Sequence, residues 1–295
     1  MLVAIDVDEE SDTFCQILSK CVLPYVGDEV HHTGWNACSS CHDKPSAKRT
    51  HIILPCLNSS RIYFVNVEDE RNIRLDKIIS PEELQNYNAS FPHTCHCLAD
   101  GNIMINTCGD GNNNNKGNFL LIDGKTFEPK DCYLEDSKSV PFSYDYWYQP
   151  RRDVMISSEW GSPKRIKEGF DPTDLAKGNY GHSVHVYKWS THEKLKTIEL
   201  PICDGALPFE VRYFLFIYCL TAHKLAVQIC SSAAVVPEPL QRRVGAVPIR
   251  AKAVERCICL TSASSCFAGS IQARSDESLC ICRMRFGLKH ILTEA

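Results

Sequence analysis

Residues 51–79 read HIILPCLNSSRIYFVNVEDERNIRLDKII. An apolar strand leads (51–58), Ser59-Ser60 turn the chain, a second apolar strand follows (61–69), and a more polar third strand leaves (73–79). The runs are short and rich in β-branched and aromatic residues, and turn formers bound them, which is the signature of antiparallel sheet. The same grammar returns at GNIMINTCG (101–109), NFLLIDG (118–124) and FEPKDCYL (127–134), and again at RDVMISSEWG (152–161), HSVHVYKWS (182–190) and HEKLKTIEL (192–200). The leading strands recur at about fifty residues, the period of a propeller blade. A β-sandwich would space its strands evenly at about 8–12 residues, whereas these are grouped. The reading is therefore all-β, a β-propeller, with about three to four blades in this chain. Closed rings need about four to eight blades, so the propeller is partial. The clearest helix signal is Pro81 to Tyr87, with Ser80 as N-cap and proline at the first helical position.

The grammar stops near Tyr213. Residues 1–213 hold 22 Lys+Arg against 31 Asp+Glu, while residues 214–295 hold 10 against 5. The four tryptophans (Trp35, Trp147, Trp160, Trp189) all precede the boundary, and the later part has no Asn and three Gly, too few for tight β-turns. Residues 1–213 are thus expected to form the β domain and residues 214–295 an unmatched tail. The net charge of -4 excludes a general nucleic-acid binder. The opening MLVAIDVDEE carries acid where a signal peptide carries base. A membrane anchor over 213–236 is opposed by His223 and Lys224 in its middle. These features predict a soluble, cytoplasmic protein, also compatible with the nucleus and with peripheral membrane association. Its seventeen cysteines are expected to be reduced and mostly buried.

Chemistry-bearing side chains fall into clusters: His31-His32 before Gly34-Trp35; Cys38 and Cys41; His93-Thr94-Cys95-His96-Cys97; and His182 with His185. Cys15 stands alone. His93 and His96 point to opposite faces of a regular strand, but could converge at a turn or bulge. Imidazole with thiolate suits copper or zinc; the same side chains could equally be a metal-free polar filling. Cys38 and Cys41 could be half a zinc site, a redox pair or two buried thiols; without a second pair at zinc-site spacing, a structural or redox role is preferred. His182 and His185 read as ordinary strand residues. The loop GDGNNNNKG (109–117) lacks the Gly-Lys-Ser/Thr ending of a phosphate loop and reads as a flexible hairpin connection.

IDVDEESDTFCQI, DEVHHTGWNACSSC, LPCLNSSRIYFVNV, FPHTCHCLADGNIMI, GNFLLIDGKTFE, SYDYWYQPRRDVMISSEWGSP and GHSVHVYKWSTHE resemble the selenium-binding protein family, also called methanethiol oxidases, in order from Val3 to Arg212. The resemblance implies a seven-bladed propeller and oxidation of methanethiol by O2 and water to formaldehyde, hydrogen sulfide and hydrogen peroxide. It implies copper as cofactor, selenium carried on Cys15, and metal-site histidines at His31, His32, His93 and His96. The implied partners are a small thiol and O2, with other proteins able to use the propeller faces. The alternative is a non-catalytic selenium-binding or interaction propeller. Family members start some forty residues earlier and continue for further blades after LPFEVRY, so residues 214–295 read as a truncated isoform, a retained intron, a frameshift or a gene-model error, with activity impaired.

Overall fold

The computed structural model describes residues 1–37, 46–201, 207–215 and 225–231. A hairpin of β1 (Leu2–Ile5) and β2 (Ile17–Cys21) opens the chain. Three four-stranded sheets follow, each an antiparallel meander whose strands pair in chain order. The first comprises β3 (Gly34–Trp35), β4 (His51–Pro55), β5 (Ile62–Asn66) and β6 (Arg74–Ile79). The second comprises β7 (Ser90–Cys97), β8 (Asn102–Gly109), β9 (Asn115–Asp123) and β10 (Pro129–Cys132). The third comprises β11 (Tyr146–Gln149), β12 (Val154–Ser158), β13 (Ser183–Lys188) and β14 (Glu193–Glu199). A pair, β15 (Pro208–Leu215) and β16 (Leu225–Ser231), closes the described part and straddles residue 213.

Each sheet packs its face on the next. Ile53, Ile62 and Phe64 of the first sheet share one apolar cluster with Ile103, Ile105, Leu120 and Ile122 of the second. Met104 and Phe119, one residue out of phase and so on the opposite face, pack with Tyr146, Met155 and Tyr187 of the third. Ile156 and Val184 meet Val211 of β15. At the other end Leu54, Tyr63 and Val65 receive Leu2, Ala4 and Cys21 of the hairpin. A sheet buried on both faces needs continuous apolar runs, and all five residues of β5 are buried. Burying each such isoleucine or phenylalanine stabilises by about 1.5–3 kcal/mol. This serial stacking of meanders is blade packing; two sheets facing each other across Greek-key crossings would look different.

Two sequence expectations are corrected. The run at 101–109, expected to lead its unit, is the second strand of its sheet; SFPHTCHC (90–97) is β7, the first. Its two-fold pattern is masked because its polar residues are buried against other segments rather than solvated. The first strands start at residues 34, 90 and 146, so the blade period is 56 when they are included. The Asn-rich loop is a knit turn: the Asp110 carboxylate accepts from the Asn112 and Asn114 backbone N–H groups and the Asn114 side chain. Helix α1 (Pro81–Gln85) forms at the expected place, with Ser80 and Glu83 in a reciprocal capping box. Among the described residues no helix is long and apolar enough to cross a membrane.

Candidate functional site

The site grows from an irregularity in β7. Its ladder with β8 changes register between Pro92 and Cys95, and Phe91 sits at φ 54, in the left-handed region that bulky residues rarely adopt. Such a bulge re-aims side chains. His93, wholly buried, is the residue re-aimed. Its Nδ1 lies 2.7 Å from the Tyr144 carbonyl oxygen and 3.1 Å from Thr94 Oγ1. A carbonyl oxygen only accepts, so Nδ1 carries the proton and Nε2 keeps its lone pair. That lone pair faces His31 Nδ1 at 2.7 Å.

The His31-His32 segment reaches this point because Gly34 lets it run hard against β7. A Cβ on Gly34 would run into the Cys95 sulfur and carbonyl oxygen. The His32 ring centroid is 4.4 Å from that of His93 and 6.1 Å from that of His31. Tyr144 stacks on His93 at 3.8 Å and brings its hydroxyl to 3.2 Å from His31 Nδ1. Glu29 Oε1 stands 3.6 Å from the other nitrogen of His31. Burial, then the neighbouring His32 and His31, hold His93 well below the usual imidazole range. Burial also lowers His31, with Glu29 opposing it. Both rings are thus neutral at pH 7, the state in which imidazole binds metals. Burial raises the Tyr144 phenol, which stays protonated.

The other candidates lie elsewhere. His96 reaches the same neighbouring sheet two residues further on: its Nε2 is 3.2 Å from the Tyr146 carbonyl, and its ring stands edge-on to Trp147 at 4.7 Å. His185 is buried within its own sheet, between Glu159 Oε1 at 2.9 Å and Thr197 Oγ1 at 3.0 Å. The His182 carbonyl accepts from the Leu200 N–H. Among the described residues no set of three or more His, Cys, Asp or Glu side chains has the geometry to hold a metal ion. Glu29 and Tyr144 are site residues that sequence reading missed; the first precedes the His-His pair by two positions, and nothing in the spacing marks the second.

The thiols separate cleanly. Cys15 is exposed, at φ 62, just before β2. It sits on a braced loop: Asp6 accepts from the Asp8 N–H and from the Ser11 and Thr13 hydroxyls, which hold its carboxyl at about 2. Burial pushes the Cys56 and Cys95 thiols up to about 12, and raises Cys21, Cys108 and Cys132 as well. Cys97 is disulfide-bonded, which corrects the expectation of reduced thiols throughout. Cys38 and Cys41 lie outside the described residues.

Known proteins share this sequence over most of its described length. The chain is 47% identical over 214 residues to a methanethiol oxidase of Danio rerio, covering 72% of this chain and 47% of that one. It is 44% identical over the same length to a methanethiol oxidase of Homo sapiens, covering 72% and 45%. The chain therefore spans about half the length of the curated relatives it matches. A solved structure, a hypothetical selenium-binding protein from Sulfolobus tokodaii, superposes with a TM-score of 0.66 at 28% identity, covering 77% of this chain and 55% of that one. With residues 1–226 matching the description "56kDa selenium binding protein", the chain belongs to that family.

Proposed function

We propose that this chain carries the histidine part of a copper-dependent methanethiol oxidase site, with Cys15 as its selenium-carrying thiol. The observation that carries the reading is the His31–His93 pair, two neutral imidazole nitrogens facing each other at 2.7 Å. They come from segments 62 residues apart and are brought together by Gly34 and the β7 bulge. The donor set fits copper in part. His93 Nε2 and His31 Nδ1 would hold the ion, with His32 beside them, and relatives of which the match covers only about half have sequence in hand for further ligands. Copper, when bound, would supply a soft one-electron centre for a thiolate and O2. The chain's own residues do the rest. The Tyr144 carbonyl holds the His93 proton away from the ligand side. The Tyr144 hydroxyl offers a hydrogen bond beside His31. The buried wall behind His93 keeps water off one side of the reaction, in which one methanethiol, one O2 and one water give one formaldehyde, one hydrogen sulfide and one hydrogen peroxide. A small thiol and O2 are the implied substrates, and a cytosolic setting is the expected one.

A second reading, selenium carriage without turnover, is favoured by Cys15 alone: it is exposed while Cys21, Cys56, Cys95 and Cys108 are buried. Metal content separates the two. The full chain is loaded with copper, desalted, and assayed for retained copper and for hydrogen sulfide and hydrogen peroxide from methanethiol. Retained copper that disappears in His93→Ala, with turnover below that of a full-length relative, is the expected result. A chain that retains no copper, or a His93→Ala variant that retains as much as the parent, refutes the oxidase reading.

A further inference from the structure

Behind His93 lies a second group that the family resemblance does not assign. Asp145 is wholly buried, and its two oxygens are committed to two different strands. Oδ1 accepts from the Thr94 hydroxyl at 2.7 Å, on β7. Oδ2 accepts from the Val211 N–H at 2.9 Å, on β15. Asp145 also follows Tyr144, whose carbonyl accepts a hydrogen bond from His93 Nδ1–H.

Three of these contacts fix the direction of the protons between Asp145 and His93. A hydroxyl has one proton to give. Thr94 gives it to the Asp145 carboxylate, so its oxygen can only accept from His93 Nδ1. The Tyr144 carbonyl can only accept as well. Both acceptors on that side demand Nδ1–H, and the neutral ring then has its lone pair on Nε2, toward His31. We propose that Asp145 is the positioning residue of the histidine cluster. Through Thr94, and by anchoring the Tyr144 carbonyl, it keeps His93 in the tautomer whose Nε2 faces His31. Supporting groups of this kind orient metal-binding histidines, and their loss costs about 10–100-fold in metal affinity. The inference rests on the copper reading only for its metal readout; the tautomer itself belongs to the metal-free protein.

Asp145→Asn is the sharp test, because it keeps the shape and reverses one proton. Val211 N–H can only donate, so the asparagine oxygen turns to it and the NH2 group turns to Thr94. The Thr94 proton is then released toward His93 Nδ1 and competes with the Tyr144 contact. The measurement is the tautomer of His93 in the 15N-histidine-labelled full chain, read from two-bond 15N–1H correlations, together with Cu(II) titration. The expected result is a single Nδ1–H tautomer in the parent and a growing Nε2–H population in Asp145→Asn, with Cu(II) affinity lower by about 10–100-fold. Thr94→Ser should keep the parental tautomer and affinity, and Thr94→Val should lose part of both. If Asp145→Asn does not fold, as judged by circular dichroism, the Thr94 pair decides. A folded Asp145→Asn with the parental tautomer, or Thr94→Val matching Thr94→Ser in both readouts, overturns the proposal. A parent that binds no Cu(II) refutes the copper reading instead, and leaves the tautomer comparison to decide the role of Asp145.

Discussion

His93 and His185 are both buried histidines in this chain, and they are held in opposite ways. His185 has both nitrogens satisfied by its own sheet and the residue that follows one of its strands, Glu159 just after β12 and Thr197 on β14. His93 draws its partners from different parts of the fold: the Tyr144 carbonyl ahead of β11 on one nitrogen, and His31 of an earlier segment on the other. The first arrangement is closed, since every lone pair and proton is used where the strand lies. The second leaves a nitrogen facing another nitrogen, a contact that a single proton or a cation can bridge. Burial alone does not mark a functional histidine; the source and chemistry of its partners do.

The largest expected difference is in metal binding. His93→Ala should abolish retention of Cu(II), a loss of at least about 100-fold, while His185→Gln should leave it within about threefold. Equal losses in a metal titration would dissolve the distinction. Stability should invert the order at the other site: His185→Gln weakens one of the hydrogen bonds to the buried Glu159 carboxylate, leaving it the Ser183 N–H, and should cost about 1–3 kcal/mol, read by urea denaturation.

Acidity should separate the two environments by pH window. His93 and His31 are lowered, so their unfolded rings gain protons near 6.5 while the folded ones stay neutral. The unfolded chain then binds more protons, and stability falls as pH drops below about 6.5. Burial works to raise Glu159, but the His185 hydrogen bond overcomes it and the carboxyl is lowered from 4.5. Its contribution is complete above pH 4.5 and is lost only as pH falls through the lower folded value. Denaturation series at pH 7.5, 6 and 5 should lose much of their slope in His93→Gln and keep it in His185→Gln. The opposite assignment would show that the buried pair, not the cluster, governs the neutral range.

Thiol reactivity gives a smaller readout. Cys15 should take up a maleimide at least about tenfold faster than Cys95 or Cys108, because the thiolate and its access set the rate. Mass spectrometry of labelled peptides checks this, and equal rates would remove Cys15 as the selective selenium carrier. The smallest effect is Thr197→Val, which deletes one half-exposed hydrogen bond to His185 and should cost about 0.5–1.5 kcal/mol. Cu(II) affinity should not move; a change there would mean that His185 communicates with the cluster after all.

Much of this was written in the sequence. The apolar runs at 51–58, 101–109 and 152–161 fixed the second strand of each sheet, because strands buried on both faces admit little else. Ser80 and Pro81 fixed the helix start for local reasons, a cap and a preset φ. The histidines that meet, His31, His32 and His93, stand out in the sequence as clusters and Cys15 as a lone thiol, while their metal and selenium roles come only through the family resemblance. Tertiary structure decided the rest. A regular strand sends residues 93 and 96 to opposite faces, and only the register shift after Pro92 sets which of them faces His31. The first strand of the second sheet is hard to read because His93, Thr94 and His96 look solvated in sequence, whereas His93 and Thr94 are buried, and His96 half-buried, by contact with the neighbouring sheets. Asp145 was invisible for the same reason. A carboxylate's role here is the direction of a proton on Thr94, and that direction exists only once β7, β11 and β15 stand side by side.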